Sequence, residues 1–469
     1  MTDRRTDVLV VGAGPAGYTT AIRLGQLGID ATLVEADAHG GTCLNRGCIP
    51  SKAIISAASV AHEARTSEEI GITAEVDVDF EQFTRWKDRV VRRMGKAVEK
   101  LCKANNVDLV EGRAVFEDRH VARVLDGDGT ELERVEFDYA VLATGSRPVE
   151  LPGFEYDHPS VLDAADALSL SSLPNSLVVI GAGYIGMELS TAFAKLGVDV
   201  TVVEALESML PGFPPALVEP VESRAGELGI DCHYKQLAQD WRETDAGLVL
   251  ETESADGQDQ FEHEAEAVLV AVGREPVTDT MNLDAIGLEP NNDGFLETDD
   301  QCRTDVPHVF AVGDVAGEPM LAHKGSAEGE VAAEVIAGRT ASFADRAVPS
   351  VAFTAPELAT VGQTVQEAED AGHNPIQGEF PLRASGRALT TGHTDGFARI
   401  VASEDGRVLG GQVVGPEASE LIAEIALAVE QELPVEALAE TIHAHPTMAE
   451  SVHEASANAL GRAIHTLNR

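Results

Sequence analysis

Two stretches of this chain repeat one strand–turn–helix–strand pattern with the same internal spacing. Asp7 to Val11 reads as an apolar strand and is followed by Gly12-Ala13-Gly14-Pro15-Ala16-Gly17. A helical stretch then runs to about Gly28, and a second strand ends at Glu35. Ser176 to Ile180 repeats the strand, followed by Gly181-Ala182-Gly183-Tyr184-Ile185-Gly186, a helical stretch to about Gly197, and Asp199 to Val203 leading to Glu204. In both copies the acid stands 23 positions after the first glycine, from 12 to 35 and from 181 to 204. Each copy has the form of a βαβ dinucleotide-binding unit. Gly12 and Gly181 make the tight turn, Gly14 and Gly183 let backbone approach a pyrophosphate, and Gly17 and Gly186 allow helix to pack on strand. The pyrophosphate meets a helix N-terminus, and the acid accepts bonds from a ribose diol. One such fingerprint is a weak signal. Two, with strand, helix and acid in register, predict an α/β chain with two Rossmann-like domains.

A chain of 469 residues has room for roughly three domains. From about Ala347 onward β-branched runs alternate with turns and helices and no third glycine fingerprint occurs, so this region reads as α+β. Residues 168–175 read as a connector, 251–264 as an exposed acidic hairpin or loop, and Glu81 to Ala104 as an amphipathic helix. The net charge is −45, from 79 acidic and 34 basic residues, eight of them lysine. Nucleic acid and anionic membrane are poor partners for such a surface. Self-repulsion opposes compaction in dilute buffer, whereas molar salt shortens the screening length to about 3 Å. The charge therefore points to a cytosol of very high ionic strength. No secretory signal pattern opens the sequence and no apolar run has the length of a membrane span. A soluble, cytoplasmic protein is expected.

Cys43 and Cys48 lie in Gly40-Gly41-Thr42-Cys43-Leu44-Asn45-Arg46-Gly47-Cys48-Ile49-Pro50-Ser51-Lys52. Proline is favoured at a first helical position, which places Cys48 at a helix N-terminus, where positive partial charge stabilises a thiolate. A thiolate able to close a disulfide with a near neighbour suits two-electron thiol chemistry. A metal half-site or a plain small-loop disulfide is the competing reading. A metal site needs a second pair at ligand spacing, and Cys102, Cys232 and Cys302 stand alone. No metal is expected. Cys102 reads as a buried helix-face residue, and Cys232 and Cys302 as structural strand-end residues.

Far along the chain stands His443-Ala444-His445-Pro446-Thr447-Met448-Ala449-Glu450. Two readings are open. Glu450 could orient His445 as a base for a thiol substrate, or Thr447 and Glu450 could form a capping box.

Taken together, the Gly40–Lys52 block, both fingerprints, Ala143-Thr144-Gly145, Ala271-Val272-Gly273-Arg274, Gly313-Asp314 and His445-Pro446-Thr447 resemble the pyridine nucleotide–disulfide oxidoreductase family, over nearly the whole chain. The resemblance implies an FAD-binding domain at 1–150, an NAD-binding domain at 151–275, a central segment at 276–346 completing the FAD site, and a dimerisation domain at 347–469. It implies FAD contacts at Gly12, Gly14, Gly17, Glu35, Thr42, Lys52, Ala114, Gly145, Asp314 and Ala322. For NAD it implies Gly181, Gly183, Gly186, Glu188, Glu204, Ala238 and Gly273. By the same likeness Lys52 faces Glu188 near the reactive edge of the flavin, and Asp314 binds the ribitol. Read without it, Lys52 is a surface lysine and Asp314 a helix cap.

Within the family, Ile49-Pro50-Ser51-Lys52 and Met320-Leu321-Ala322-His323-Lys324 look like the lipoamide branch rather than the glutathione branch. His465-Thr466-Leu467-Asn468-Arg469 lacks the cysteine of the mercuric branch, and the presence of both redox cysteines is unlike the transhydrogenases. Glu204-Ala205-Leu206-Glu207 favours NAD, since NADP calls for an arginine at the 2′-phosphate. The activity implied is oxidation of a dihydrolipoyl dithiol with NAD as acceptor, through a Cys43–Cys48 disulfide, with His445 and Glu450 serving from the other subunit of a homodimer. The implied partner is the lipoyl domain of a 2-oxoacid dehydrogenase or a similar lipoyl-bearing protein. The alternative is an NAD(P)H-dependent reductase of another low-molecular-weight disulfide. Arg46 and Tyr184 receive no assigned role.

Overall fold

The computed structural model describes residues 2–468. The first repeat forms β1 (Thr2–Val11), α1 (Pro15–Gln26) and β2 (Ala31–Glu35), with β1 and β2 parallel and Val8 opposite Ala31. There follow α2 (Gly41–Arg46), α3 (Cys48–Thr66), α4 (Phe80–Ala104), β3 (Val107–Glu111), β4 (Arg113–Asp118), β5 (Val121–Leu125) and β6 (Glu131–Leu142). They build a sheet of order β3-β2-β1-β6-β5-β4. Val8, Leu9 and Val10 of β1 are fully buried, the unbroken apolar run expected of a strand covered on both faces.

The short strand β7 (Ser146–Pro148) leaves this sheet, and β8 (Val161–Leu162) and α5 (Ala164–Ser169) lead into the second repeat. That repeat is β9 (Ser176–Ile180), α6 (Tyr184–Leu196) and β10 (Asp199–Glu204). After α7 (Pro215–Glu227) come β11 (Asp231–Tyr234), β12 (Gln236–Thr244), β13 (Gly247–Ser254), β14 (Gln260–Ala265), β15 (Ala267–Val270) and β16 (Arg274–Pro276). The second sheet has the order β11-β10-β9-β15-β8, flanked by the antiparallel β12-β13-β14. The acidic stretch 251–264 is the β13–β14 hairpin, with Glu253 opposite Gln260. The expected connector at 168–175 is shorter than read, because α5 continues to Ser169 behind an Asp163–Asp166 capping box.

The chain then returns to the first sheet: β17 (Val309–Ala311) lies parallel to β6, Val309 against Ala140, and α8 (Ala322–Ile336) packs on α1. The C-terminal part holds β18 (Ser350–Ala352), β19 (Glu357–Gly362), α9 (Val365–Asp370), β20 (Ile376–Pro381), α10 (Gly386–Thr391), β21 (Phe397–Ala402) and β22 (Val408–Gly415). The helices α11 (Ala418–Glu430), α12 (Val435–Glu440) and α13 (Glu450–Ala459) complete it. Its antiparallel sheet, β18-β19-β22-β21-β20, is covered by α11 and α13 over a core that includes Ile400, Val413, Ile425 and Val452. The fold is α/β with two nucleotide-binding units and an α+β C-terminal domain, as the sequence reading expected. Among the described residues no helix is long and apolar enough to cross a membrane, and no cluster of His, Cys, Asp or Glu has the geometry of a metal site.

Candidate active site

The two glycine turns are superimposable in their local chemistry. Gly12 and Gly181 have φ of +99° and +102°, a left-handed conformation open to glycine. A Cβ on Gly17 would stand 1.8 Å from the Gly12 carbonyl oxygen, and one on Gly186 would stand 2.0 Å from that of Gly181. The middle glycines, Gly14 and Gly183, face open space. Protein packing therefore demands the first and third glycines, while the second leaves room for something else against a helix N-terminus. Each acid is held alike. Ala13 N–H donates to Glu35 Oε2 and Ala182 N–H to Glu204 Oε2, both at 2.6 Å, while Asp37 and Leu206 donate to the opposite oxygens at 2.8 Å. Burial raises the Glu35 carboxyl above its ordinary value, with the Ala13 N–H acting against it.

A cavity of about 410 Å³ opens from the first turn. Gly12, Gly14, Glu35, Thr42, Cys43, Cys48, Lys52, Ala114, Gly145, Asp314 and Ala322 line it, joined by Tyr184 and Glu188 from α6 and by Arg46. An elongated dinucleotide fits this donor set: open glycine, helix N-terminus and ribose-facing acid at one end, with a thiol pair and a lysine at the other.

Cys43 and Cys48 are free thiols here. Cys43 lies on the helix α2, which follows directly on Gly40 (φ +99°). The helix α3 starts at Cys48 itself, so Pro50 occupies its third position rather than its first, and the Ser51 N–H closes the first turn on the Gly47 carbonyl at 3.0 Å. Proline is tolerated there because the first four N–H groups have no partner within the helix. The two thiols are not equivalent. The hydrogen bond between them pushes Cys43 up, with burial adding to it. The same bond, aided by the Lys52 ammonium, brings Cys48 down to about 7 against the opposing effect of burial.

Lys52 Nζ donates to Glu188 Oε2 at 2.8 Å, and the Glu188 side chain is 4% exposed. Lys52 is thus a paired group rather than a surface lysine. Asp314 lies in a short 3-10 turn after β17 and accepts from Ser146 Oγ at 2.5 Å, while Arg274 Nε donates to that hydroxyl at 2.8 Å. Burial pushes the Tyr184 phenol up to about 12.

His445 stands apart from this cavity within one chain. Its Nδ1 is 2.9 Å from Glu450 Oε1, Glu450 Oε2 accepts the Thr447 N–H at 2.9 Å, and the imidazole side chain is 79% exposed. The capping box is only half formed. The Thr447 hydroxyl donates to the Ala444 carbonyl, and α13 begins at Glu450. Gly183 caps α6 and Gly186 lies in its first turn, Glu204 ends β10, and Gly273 (φ +136°) follows β15. Ala238 lies beside a bulge on β12 and packs with Trp241 against the cluster containing Val203, away from the cavity wall. Cys102 is fully buried on α4, as expected. Cys232 sits inside β11, and Cys302 occupies a turn at φ +62°, not a strand end.

Sequence reasoning passed over Ser146 and Phe353. Phe353 N–H donates to Glu188 Oε1 at 2.9 Å, and its ring centroid is 4.2 Å from Lys52 Nζ. Neither residue has a local pattern that signals the site; both reach it through long-range packing.

Residues 6–329 match the family described as pyridine nucleotide-disulphide oxidoreductase, and residues 348–456 match its dimerisation domain. The chain is 58% identical over 466 residues to the dihydrolipoyl dehydrogenase of Halobacterium salinarum, covering 99% of this chain and 98% of the relative. It is 56% identical over 467 residues to that of Haloferax volcanii, with the same coverage. Among solved structures it is similar to LpdA from Mycobacterium tuberculosis, with a TM-score of 0.89 at 27% identity over 97% of this chain and 99% of the other. The chain belongs to the pyridine nucleotide-disulphide oxidoreductase family.

Proposed function

We propose that this chain is a dihydrolipoyl dehydrogenase: it oxidises a dihydrolipoyl dithiol to the cyclic disulfide and reduces NAD+ to NADH. The observation that carries the reading is the unequal thiol pair, Cys43 and Cys48, on the wall of a cavity that begins at a dinucleotide-type glycine turn. Identity of 58% to a dihydrolipoyl dehydrogenase along nearly the full chain supports it.

FAD is assigned to the cavity, held by the Gly12–Gly17 turn, Glu35, Thr42, Lys52, Ala114, Gly145, Asp314 and Ala322. NAD is assigned to the Gly181–Gly186 turn, Glu188, Glu204, Ala238 and Gly273. The divisions 1–150, 151–275, 276–346 and 347–469 belong to this reading, as do the homodimer and a lipoyl-bearing protein as partner. The return of β17 to the first sheet and the match of residues 348–456 to a dimerisation domain support them. A cytoplasmic location belongs to the same reading.

In the oxidised enzyme Cys43 and Cys48 share a disulfide. His445 of the partner subunit, its tautomer set by Glu450, takes the proton from one substrate thiol. The resulting thiolate attacks Cys43 Sγ. A substrate–Cys43 bond forms, the Cys43–Cys48 bond breaks, and Cys48 leaves as a thiolate. The second substrate thiol gives up its proton and attacks the first substrate sulfur. This closes the cyclic disulfide and frees Cys43, which takes up a proton. Two electrons have moved from substrate to the enzyme dithiol. When bound, the flavin and nicotinamide supply the two-electron chemistry that restores the disulfide.

A steady-state assay in molar salt tests the reading, with dihydrolipoamide and either NAD+ or NADP+. NADH formation supports it. Absence of NAD+ reduction together with NADPH-linked reduction of a small disulfide favours the alternative.

A further inference from the structure

We infer that Phe353 is a positioning residue of the redox site, holding the Lys52 ammonium where it faces Cys48. The inference rests on the thiolate role proposed for Cys48. Two contacts carry it. The Phe353 ring lies 4.2 Å from Lys52 Nζ, within cation–π reach. The Phe353 backbone N–H donates to Glu188 Oε1 at 2.9 Å, while Glu188 Oε2 accepts from Lys52 at 2.8 Å. One residue thus engages both members of the ion pair, and each carboxylate oxygen has its own donor. The three residues meet across separations of 136 and 165 positions.

Lys52 follows Cys48 by four positions on α3, so the two side chains share a helix face, and both line the cavity. A nearby ammonium favours a thiolate. Lysine carries that charge on a flexible four-carbon stem, so a steady field at Cys48 requires the stem to be immobilised. Glu188 immobilises it but also opposes the thiolate with its own negative charge. An aromatic face attracts the ammonium through its quadrupole without adding a formal charge. The titratable groups facing Cys48 are Cys43 from α2, Lys52 on its own helix, Glu188 and Tyr184 from α6, and Tyr18 from α1. Phe353 adds none to this set and acts through Lys52 alone.

The test compares wild type, F353L and F353Y as full-length, flavin-loaded protein in the dithiol state. The pH profile of Cys48 alkylation by iodoacetamide is read by peptide mass spectrometry. Leucine keeps apolar bulk but lacks a π face, whereas tyrosine keeps both. F353L moves the Cys48 midpoint upward by about half to one pH unit, a roughly three- to tenfold slower alkylation at pH 6, since each unit is a factor of ten in the thiolate equilibrium. F353Y keeps the wild-type midpoint. An unmoved midpoint in F353L overturns the inference, and so does an equal shift in both variants, which would mark a packing role. Turnover of dihydrolipoamide by wild type is measured separately. Its absence counts against the proposed reaction, whereas normal turnover with an unmoved F353L profile counts against Phe353 alone.

Discussion

Glu450 uses its two carboxylate oxygens for two purposes, one for His445 Nδ1 and one for the Thr447 N–H, each at 2.9 Å. Burial pushes the Glu450 carboxyl up, but these two partners outweigh it and hold the group below the ordinary carboxylate range. The carboxylate therefore stays charged at neutral pH, and the hydrogen bond it accepts from Nδ1 directs Nε2 away from Glu450.

Replacing His445 with Gln should lower kcat/KM for dihydrolipoamide by about 10²- to 10⁴-fold, the usual contribution of a positioned base. E450Q keeps an acceptor oxygen but loses the charge that stabilises the imidazolium. Its kcat/KM for dihydrolipoamide should therefore fall by at least about tenfold. An unchanged kcat/KM would show that Glu450 serves only the chain geometry.

Alkylation should separate the two thiols. With Cys48 brought down to about 7, its reaction with iodoacetamide should be half-maximal near neutral pH and fall about tenfold per unit below it. Cys43, pushed up by the Cys48 hydrogen bond and by burial, should remain unmodified through the same range. C43A removes the largest stabiliser of the Cys48 thiolate, so the Cys48 midpoint should rise. Equal reactivity of the two cysteines in the reduced protein would contradict this assignment.

The glycines of the first turn should fail in different ways. G17A forces a Cβ to within 1.8 Å of the Gly12 carbonyl oxygen, a backbone clash costing more than the about 1–3 kcal/mol of ordinary overpacking. It should depress expression and the denaturation midpoint. Gly14 meets no protein atom within 4 Å of its would-be Cβ and has φ of −68°, so G14A should fold with near-normal stability yet retain less flavin through gel filtration. Normal flavin content in G14A would mean that the open side of the turn is not the pyrophosphate site.

Salt should control stability. At −45 net charge the folded chain repels itself, and the repulsion extends over about 10 Å at 0.1 M but only about 3 Å at 1 M. The thermal midpoint should fall by on the order of 10 °C or more from 2 M to 0.1 M KCl. Matching midpoints at both salts would show that the acidic surface is not tuned to ionic strength.

Both nucleotide units were legible in the sequence because glycine turn, helix and acid are local features whose spacing the backbone dictates. The Gly12–Glu35 and Gly181–Glu204 pairs close through Ala13 and Ala182 as that spacing implies. The helix α2 was not legible: six residues opened by two glycines carry turn chemistry, and their helical state comes from packing beside α3. Lys52 and Glu188, 136 positions apart, entered the reading only through family likeness, since no periodicity links them. Phe353 escaped even that, because an isolated aromatic in a loop looks like any other core residue until the fold sets it over an ammonium.

The position of β17 has a consequence for how the polypeptide emerges from the ribosome. Its pairing with β6 joins residues 309–311 to 140–142, while every strand of the second nucleotide-binding sheet lies between 161 and 270. Translation from the N-terminus therefore delivers all the strands of the second unit before the last strand of the first. The unit encoded first is the one finished later, and during synthesis the edge of β6 waits open for roughly the time needed to make a whole intervening domain.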